Sequence, residues 1–392
     1  MKNSEEESSS VSPDPGSYGV ERIEVVLDNA DGVFMGGQSI AGTVVLQLAK
    51  PIEVLGLRIR CKGEARVHFT DRSVGIRRKF AAEESYVHLQ SYLFGDGETK
   101  SQLDSGAYPF SLELPEKIPC SFEGLYGRIR YSLRASLVVA EDVLLSSSIL
   151  PFTLASLFDL NRDSLAPLPI SENQSKSFIG QKEPLRMELA LPVRGFVPGQ
   201  SVPMEVTLKN ESNVRVAKIR IVLKKVVTYH ASDKSRRHKE IVVEIELPVS
   251  RACKSEEHFR EEFDVPSIPP SGMAHCSIID VRYALKVEAC VDLGEWYYRM
   301  LQKNLKIRTS IIVGTVPLKN YEDVVERKAA SPTDNGFDTL IPSDEQYERS
   351  QIYRSSKPDK DDPTGDEGDS DGEVSPYSPK YRVYKFNKST KK

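Results

Sequence analysis

Gly37-Gln38-Ser39-Ile40-Ala41-Gly42-Thr43-Val44-Val45-Leu46 returns further along the chain as Gly199-Gln200-Ser201-Val202-Pro203-Met204-Glu205-Val206-Thr207-Leu208, an offset of 162 residues (199 − 37). Leu57-Arg58-Ile59-Arg60 is matched at the same offset by Ile219-Arg220-Ile221-Val222. Ile118-Pro119-Cys120-Ser121 is answered by Ile268-Pro269-Pro270-Ser271. Ile129-Arg130-Tyr131-Ser132-Leu133-Arg134 is answered by Val281-Arg282-Tyr283-Ala284-Leu285-Lys286 at an offset of 152 (281 − 129). Four motifs in one order, with a drift of about ten residues, imply two copies of one domain. The short periods of solenoids and propellers are absent.

What each copy is follows from its period. Leu55, Leu57, Ile59 and Cys61 alternate with polar residues, as do Met204, Val206 and Leu208. Ile241, Val243, Ile245 and Leu247 repeat the pattern, and so do Val281, Tyr283, Leu285 and Val287. A period of two marks antiparallel strands with one face on a core and the other in water. No helical stripe of comparable strength competes. The chain reads as all-β, each copy an antiparallel sandwich of many short strands joined by Gly and Pro turns.

The 392 residues allow two or three domains. The expected division is a disordered arm over 1–19, a first sandwich over 20–165, a linker over 166–183, a second sandwich over 184–318 and a disordered tail over 319–392. Both tails are Ser-, Pro- and charge-rich and offer too little apolar surface to offset the entropy of ordering them. With 53 Lys plus Arg against 57 Asp plus Glu, the net charge of -4 argues against a nucleic-acid surface. The start lacks a signal-peptide pattern, and no apolar run is long enough to span a bilayer. Five scattered cysteines fit free thiols in a reducing compartment. A soluble intracellular protein is expected.

The ordered motifs resemble those of the α-arrestins, the arrestin-domain-containing family, across residues 20 to 318. Phe34, Gly37, Ile40 and Gly42 resemble the family's opening element. Gly106-Ala107-Tyr108-Pro109-Phe110 through Leu114-Pro115, then Pro119 to Gly124 and Tyr126-Gly127, resemble the signature that closes its N-terminal domain. Gly195 to Gly199 with Asn210-Glu211-Ser212 resemble the entry to the C-terminal domain, Ile268 to Ser271, Cys276 to Ile279 and Tyr283 its last hairpin, and Gly314 to Leu318 its exit. The resemblance implies two tandem arrestin-like, immunoglobulin-like sandwiches. It also implies an adaptor that binds cytoplasmic parts of membrane proteins and influences their endocytosis, endosomal sorting or ubiquitination.

The residues themselves have structural readings. Pro109, Pro115 and Pro119 cannot donate to a ladder and shape a long connection. Gly124 and Gly127 bracket Tyr126, where a tight turn with positive φ is expected. Pro198-Gly199 favours a turn before the strand that begins near Val202.

Catalytic signatures are missing: no G-x-S-x-G elbow, no P-loop, no Rossmann glycine run, no H-E-x-x-H pair. No enzyme and no cofactor are expected. Cys253, His258, His275, Cys276 and Cys290 have spacings that fit no zinc knuckle, and Cys276 and Cys290 read as strand residues. Cys253 sits among cations that favour a thiolate, which leaves open a redox-linked regulator capturing a partner through it. A retromer-like arrestin-fold coat subunit is a further alternative.

Two basic clusters, Arg77-Arg78-Lys79 and Lys234 to Lys239 with Arg236, Arg237 and Lys239, read as hairpin tips. They are either solvated ends or attractors of acidic cargo tails, phosphorylated segments or anionic headgroups. In the tail, the P-P-x-Y motif that many α-arrestins use to dock the WW domains of ubiquitin ligases is absent. Ser378-Pro379-Lys380-Tyr381 is a degenerate form, leaving Pro379 and Tyr381 as its candidate residues. Ser331, Ser375 and Ser378 precede prolines as phosphorylation sites would, and Tyr321 to Val324 fits a short sorting pattern. A ligase or trafficking factor recruited by the tail, peripheral membrane association, and recruitment from cytoplasm to plasma membrane or endosomes complete the expectation.

Overall fold

The computed structural model describes residues 18–73, 76–140, 143–250, 254–292, 304–319, 345–350 and 377–386. They fall into two compact units. The first comprises residues 18–155 with 274–278 and 377–379; the second comprises 156–273, 279–319, 345–350 and 380–386.

The first unit contains β1 (Val20–Leu27), β2 (Val33–Met35), β3 (Ser39–Leu48), β4 (Ile52–Val54), β5 (Gly56–Ser73), β6 (Ile76–Gly95), β7 (Ser101–Leu103) and β8 (Gly106–Glu113). β9 (Phe122–Gly124), β10 (Gly127–Ala140), β11 (Val143–Ser146) and β12 (Leu150–Ala155) complete it. One sheet runs β1-β3-β8 and the larger runs β2-β12-β10-β5-β6, with β9 and β11 also along β10. The second unit contains β13 (Ile170–Lys176), β14 (Leu185–Leu191), β15 (Gly195–Phe196), β16 (Ser201–Asn210), β17 (Arg215–Ala231), β18 (Lys234–Pro248), β19 (Ser255–Asp264), β20 (Ile279–Asp292) and β21 (Leu305–Val313). Its sheets run β13-β14-β16-β19 and β15-β21-β20-β17-β18. The two larger sheets have the same strand order, and each has one parallel pair at the same place, β2 with β12 and β15 with β21. The duplication is therefore one of topology. β3 and β16 both span ten residues at the offset of 162, and β10 and β20 both span fourteen at the offset of 152.

The repeated motifs perform repeated tasks. Gly37 (φ +81°) and Gly199 (φ +88°) take the left-handed conformation that L-residues resist. Behind each, the amide oxygen of Gln38 or Gln200 accepts the backbone N–H of Met35 (2.8 Å) or Val197 (3.0 Å), closing the turn. In the Ile-Pro-x-Ser motifs, the carbonyls of Pro119 and Pro269 accept the hydroxyls of Tyr131 and Tyr283, each at 2.6 Å. Ser121 then clamps Leu154 with two bonds, accepting its N–H at 2.9 Å and donating its own to the carbonyl at 2.8 Å. Ser271 does the same for Val313 at 2.8 and 2.7 Å. These bonds satisfy backbone groups that burial would otherwise strand, so they fix where β12 and β21 lie. The alternating residues Leu57, Ile59, Tyr131 and Leu133 are fully buried, as are Ile219, Val281, Leu285 and Val287.

Prolines sit where a missing donor costs least. Pro109 lies within β8, an edge strand, rather than in the connection expected of it. Pro203 lies in β16 beyond the stretch paired with β14, flanked there by β19 alone.

Four expectations are corrected. Residues 170–176 of the supposed linker form β13, paired with β14 from Ile170 to Lys176. It is an edge strand whose outer side meets water, so its composition carries no apolar period. The tail contains β22 (Glu345–Arg349) and β23 (Lys380–Tyr384), paired antiparallel, with Tyr381, Val383 and Tyr384 buried. Read as a basic block, that stretch concealed an alternating strand. Gly124 and Gly127 do flank a two-residue connection, but neither has positive φ. Cys276 lies in a loop rather than a strand. Among the described residues there is no α-helix.

Candidate functional site

The basic clusters lie on strand ends rather than loops. Arg77 belongs to β6. Arg78 and Lys79 follow it, exposed, in register with Asp71 and Thr70 of β5. Arg236, Arg237 and Lys239 lie in β18, and the pleat divides them. Arg236 pairs with buried Tyr229, whereas Arg237 and Lys239 pair with Thr228 and Val226 on the opposite face.

That opposite, outward face of the second unit's large sheet carries a cation array. On β17, Lys218, Arg220 and Lys224 face outward; Lys286 of β20 and Arg308 of β21 stand beside each other in register. Several are neutralised. Lys218 meets Glu246 (2.6 Å), Arg220 meets Glu244, and Glu288 takes both Lys286 and, at 3.0 Å, Lys306. Lys224, Lys239 and Arg308 have no carboxylate partner among the described residues. Burial, and then the like charges of Lys286, Arg220, Lys239 and Arg308, lower the pKa of Lys224. Burial is the larger cause, and the clustered like charges add a positive field that an anion would relieve.

The first unit's large sheet carries a second array, in which Arg58, Lys62 and Arg134 stand at the positions of Arg220, Lys224 and Lys286 in the other copy. Arg58, Arg60 and Lys62 face outward from β5, Arg130 and Arg134 from β10, and Arg134 lies directly opposite Arg60. Lys62 and Arg66 share Glu64 at 2.7 and 2.8 Å, and Arg130 holds Glu123 at 2.5 and 3.1 Å. Arg58, Arg60 and Arg134 have no carboxylate partner among the described residues, and the Nε of Arg134 is buried without a hydrogen bond. Sequence reading noted these residues only as the polar side of alternating strands. Pairing strands places cations from two or three of them side by side, which no single strand reveals.

The remaining candidates stand apart. Cys253, Ser331, Ser375 and Tyr321 to Val324 lie outside the described residues. Ser378 is half-buried, Pro379 is buried and Tyr381 is 7 % exposed within β23. In that position Tyr381 is not offered to a WW groove. Among the described residues no His, Cys, Asp or Glu group is arranged to hold a metal ion. A shallow depression of about 510 Å³ in the first unit is lined by Glu84, Tyr86, His275 and Cys276. There Glu84 accepts from Tyr86 (2.5 Å) and from the Ser277 hydroxyl and N–H. Burial would raise the Glu84 pKa, but these donors outweigh it and hold it below the usual carboxylate range. A carboxylate so saturated is a poor general base.

Two family models match the chain, the arrestin (or S-antigen) N-terminal domain over residues 23–161 and the arrestin C-terminal domain over residues 181–318. The chain belongs to the arrestin-domain-containing family. It is similar to arrestin domain-containing protein 17 of Caenorhabditis elegans, 24% identical over 81% of this chain and 76% of that protein. It is also similar to arrestin domain-containing protein 4 of Mus musculus, 25% identical over 76% and 72%. With arrestin domain-containing protein 1 of Homo sapiens it shares 25% identity over 68% of this chain and 61% of that protein. Arrestin-family proteins are in general non-enzymatic adaptors, and the two sandwiches described above are the arrestin domains. Among the described residues, no helix is long and apolar enough to cross a membrane.

Proposed function

We propose that the chain is a non-enzymatic adaptor whose two outward sheet faces hold acidic cytoplasmic segments of membrane proteins. By that hold it regulates their endocytosis, endosomal sorting or ubiquitination. One observation carries the reading: cations without carboxylate partners, Arg58, Arg60 and Arg134 on one sheet and Lys224, Lys239 and Arg308 on the other, occupy equivalent faces of both arrestin domains. Such faces attract acidic peptides by Coulomb steering and charge-assisted hydrogen bonds. The chain acts on the cytoplasmic side and is recruited to the plasma membrane or endosomes by its cargo, and tail residues beyond 319 engage a ligase or trafficking factor.

Proximity labelling in cells, comparing the chain with the double variants Arg60→Glu/Arg134→Glu and Lys224→Glu/Arg308→Glu, tests this. Membrane proteins with acidic tails should dominate the labelled set and fall away in the variants. A set without membrane cargo or trafficking factors, or one indifferent to charge reversal, refutes the reading.

A further inference from the structure

Tyr377 lies in the segment of the tail assigned to the first unit. Its hydroxyl donates to the carbonyl of Phe152 at 2.9 Å and lies 3.2 Å from the Thr153 hydroxyl, with Ser121 beside it. The guanidinium of Arg130 stands 6.0 Å from the ring centroid, at the limit of a cation–π contact. The walls are closed: Ser121, Phe152 and Thr153 are almost wholly buried. The nearby charges are spoken for. Arg130 is bound in a fork to Glu123, and Glu123 is 7 % exposed. Burial raises the Glu123 pKa even against the pull of Arg130.

This socket accepts a phenol and rejects its phosphate. The Phe152 carbonyl needs a donor, and a phosphate ester oxygen has no hydrogen to give. The dianion would arrive beside a buried carboxylate, and drawing Arg130 away to meet it would strip Glu123 of its two fork hydrogen bonds.

We propose that Tyr377 is a phosphorylation site that controls docking of the tail, with the unmodified phenol as the docked form and phosphotyrosine as the released form. The modifying activity is an ATP-dependent tyrosine kinase. The Tyr377 oxygen bonds to the γ-phosphorus of ATP, the bond from that phosphorus to the bridging oxygen of ADP breaks, and the phenolic proton is lost to a base. The docked oxygen is engaged, so the kinase acts on the undocked fraction; the product cannot return, and the population moves to the released state. The inference concerns tail docking and is independent of the cargo reading above.

The test uses the full chain, assembled by ligating a synthetic 370–392 segment that carries tyrosine, phosphotyrosine or phenylalanine at position 377. Hydrogen exchange of the backbone over 377–381 and tryptic cleavage after Lys380 report docking. Phosphotyrosine should accelerate both at least tenfold, and Tyr377→Phe, which keeps the ring, by clearly less. Equal rates for the phosphorylated and unmodified chains would overturn the proposal, as would slower exchange in the phosphorylated chain or equal acceleration by phenylalanine.

Discussion

Tyr283 donates its hydroxyl to the carbonyl oxygen of Pro269 at 2.6 Å, in the same way that Tyr131 serves Pro119 in the other arrestin domain. Both rings are among the largest fully buried side chains. Removing only the oxygen strands a buried carbonyl, which costs about 1–3 kcal/mol. Tyr283→Phe and Tyr131→Phe should each lower stability by that amount in urea unfolding. A change under about 0.5 kcal/mol in both would show that water or repacking satisfies the carbonyl instead.

The duplicated glycines differ in what surrounds them. A Cβ on Gly199 would meet the backbone oxygen of Tyr384 at 1.9 Å, whereas one on Gly37 would meet the Glu116 side chain at 3.2 Å. Both substitutions carry the left-handed penalty of about 1–2 kcal/mol. Only Gly199→Ala should also lift β23, whose Tyr384 N–H donates to the Pro198 carbonyl at 3.0 Å and whose Tyr384 hydroxyl donates to the Thr315 carbonyl at 2.6 Å. Hydrogen exchange over 380–384 should accelerate in Gly199→Ala and stay unchanged in Gly37→Ala.

Acid should loosen the second unit through Glu288. Burial opposes its charge, but donors from Lys286, Asn304 and Lys306 overcome that and lower its pKa from 4.5 to about 2. A depressed carboxylate contributes stability that is full above the unfolded pKa and lost as pH falls through the folded one. The contribution, on the order of 2–3 kcal/mol, should therefore vanish between pH 4.5 and 2. Comparing the pH dependence of urea midpoints for the parent and Glu288→Gln checks this: the variant should lose that part of the slope, and identical profiles would assign the acid sensitivity elsewhere.

Charge on the sheet faces should govern association with acidic peptides. A fluorescent poly-Glu peptide should bind with an affinity that falls steeply as salt rises. Lys224→Glu/Arg308→Glu should weaken it at least tenfold while leaving thermal stability near that of the parent, because neither cation has an ion partner to lose. Salt-independent binding would point to apolar contacts.

Alternation and repetition were readable from residues alone because strands with one wet face must place apolar side chains at every second position. They were enough to identify the β class, the duplication and the likeness of Tyr131 to Tyr283. Local patterning has no information on which strands become neighbours. Arg60 and Arg134 are far apart in the chain, and only β5 pairing with β10 makes them a common surface. The same limit hid β13 and β23. β13 owes its order to hydrogen bonds with β14 rather than to a propensity of its own residues. β23 does alternate, but over five residues set in a basic block, and its order comes from pairing with β22 and burial of Tyr381 and Tyr384. Identity of the two domains lay in the amino-acid order; the charged faces and the docked tail arose from long-range pairing, whose energy depends on neighbours that one-dimensional spacing does not specify.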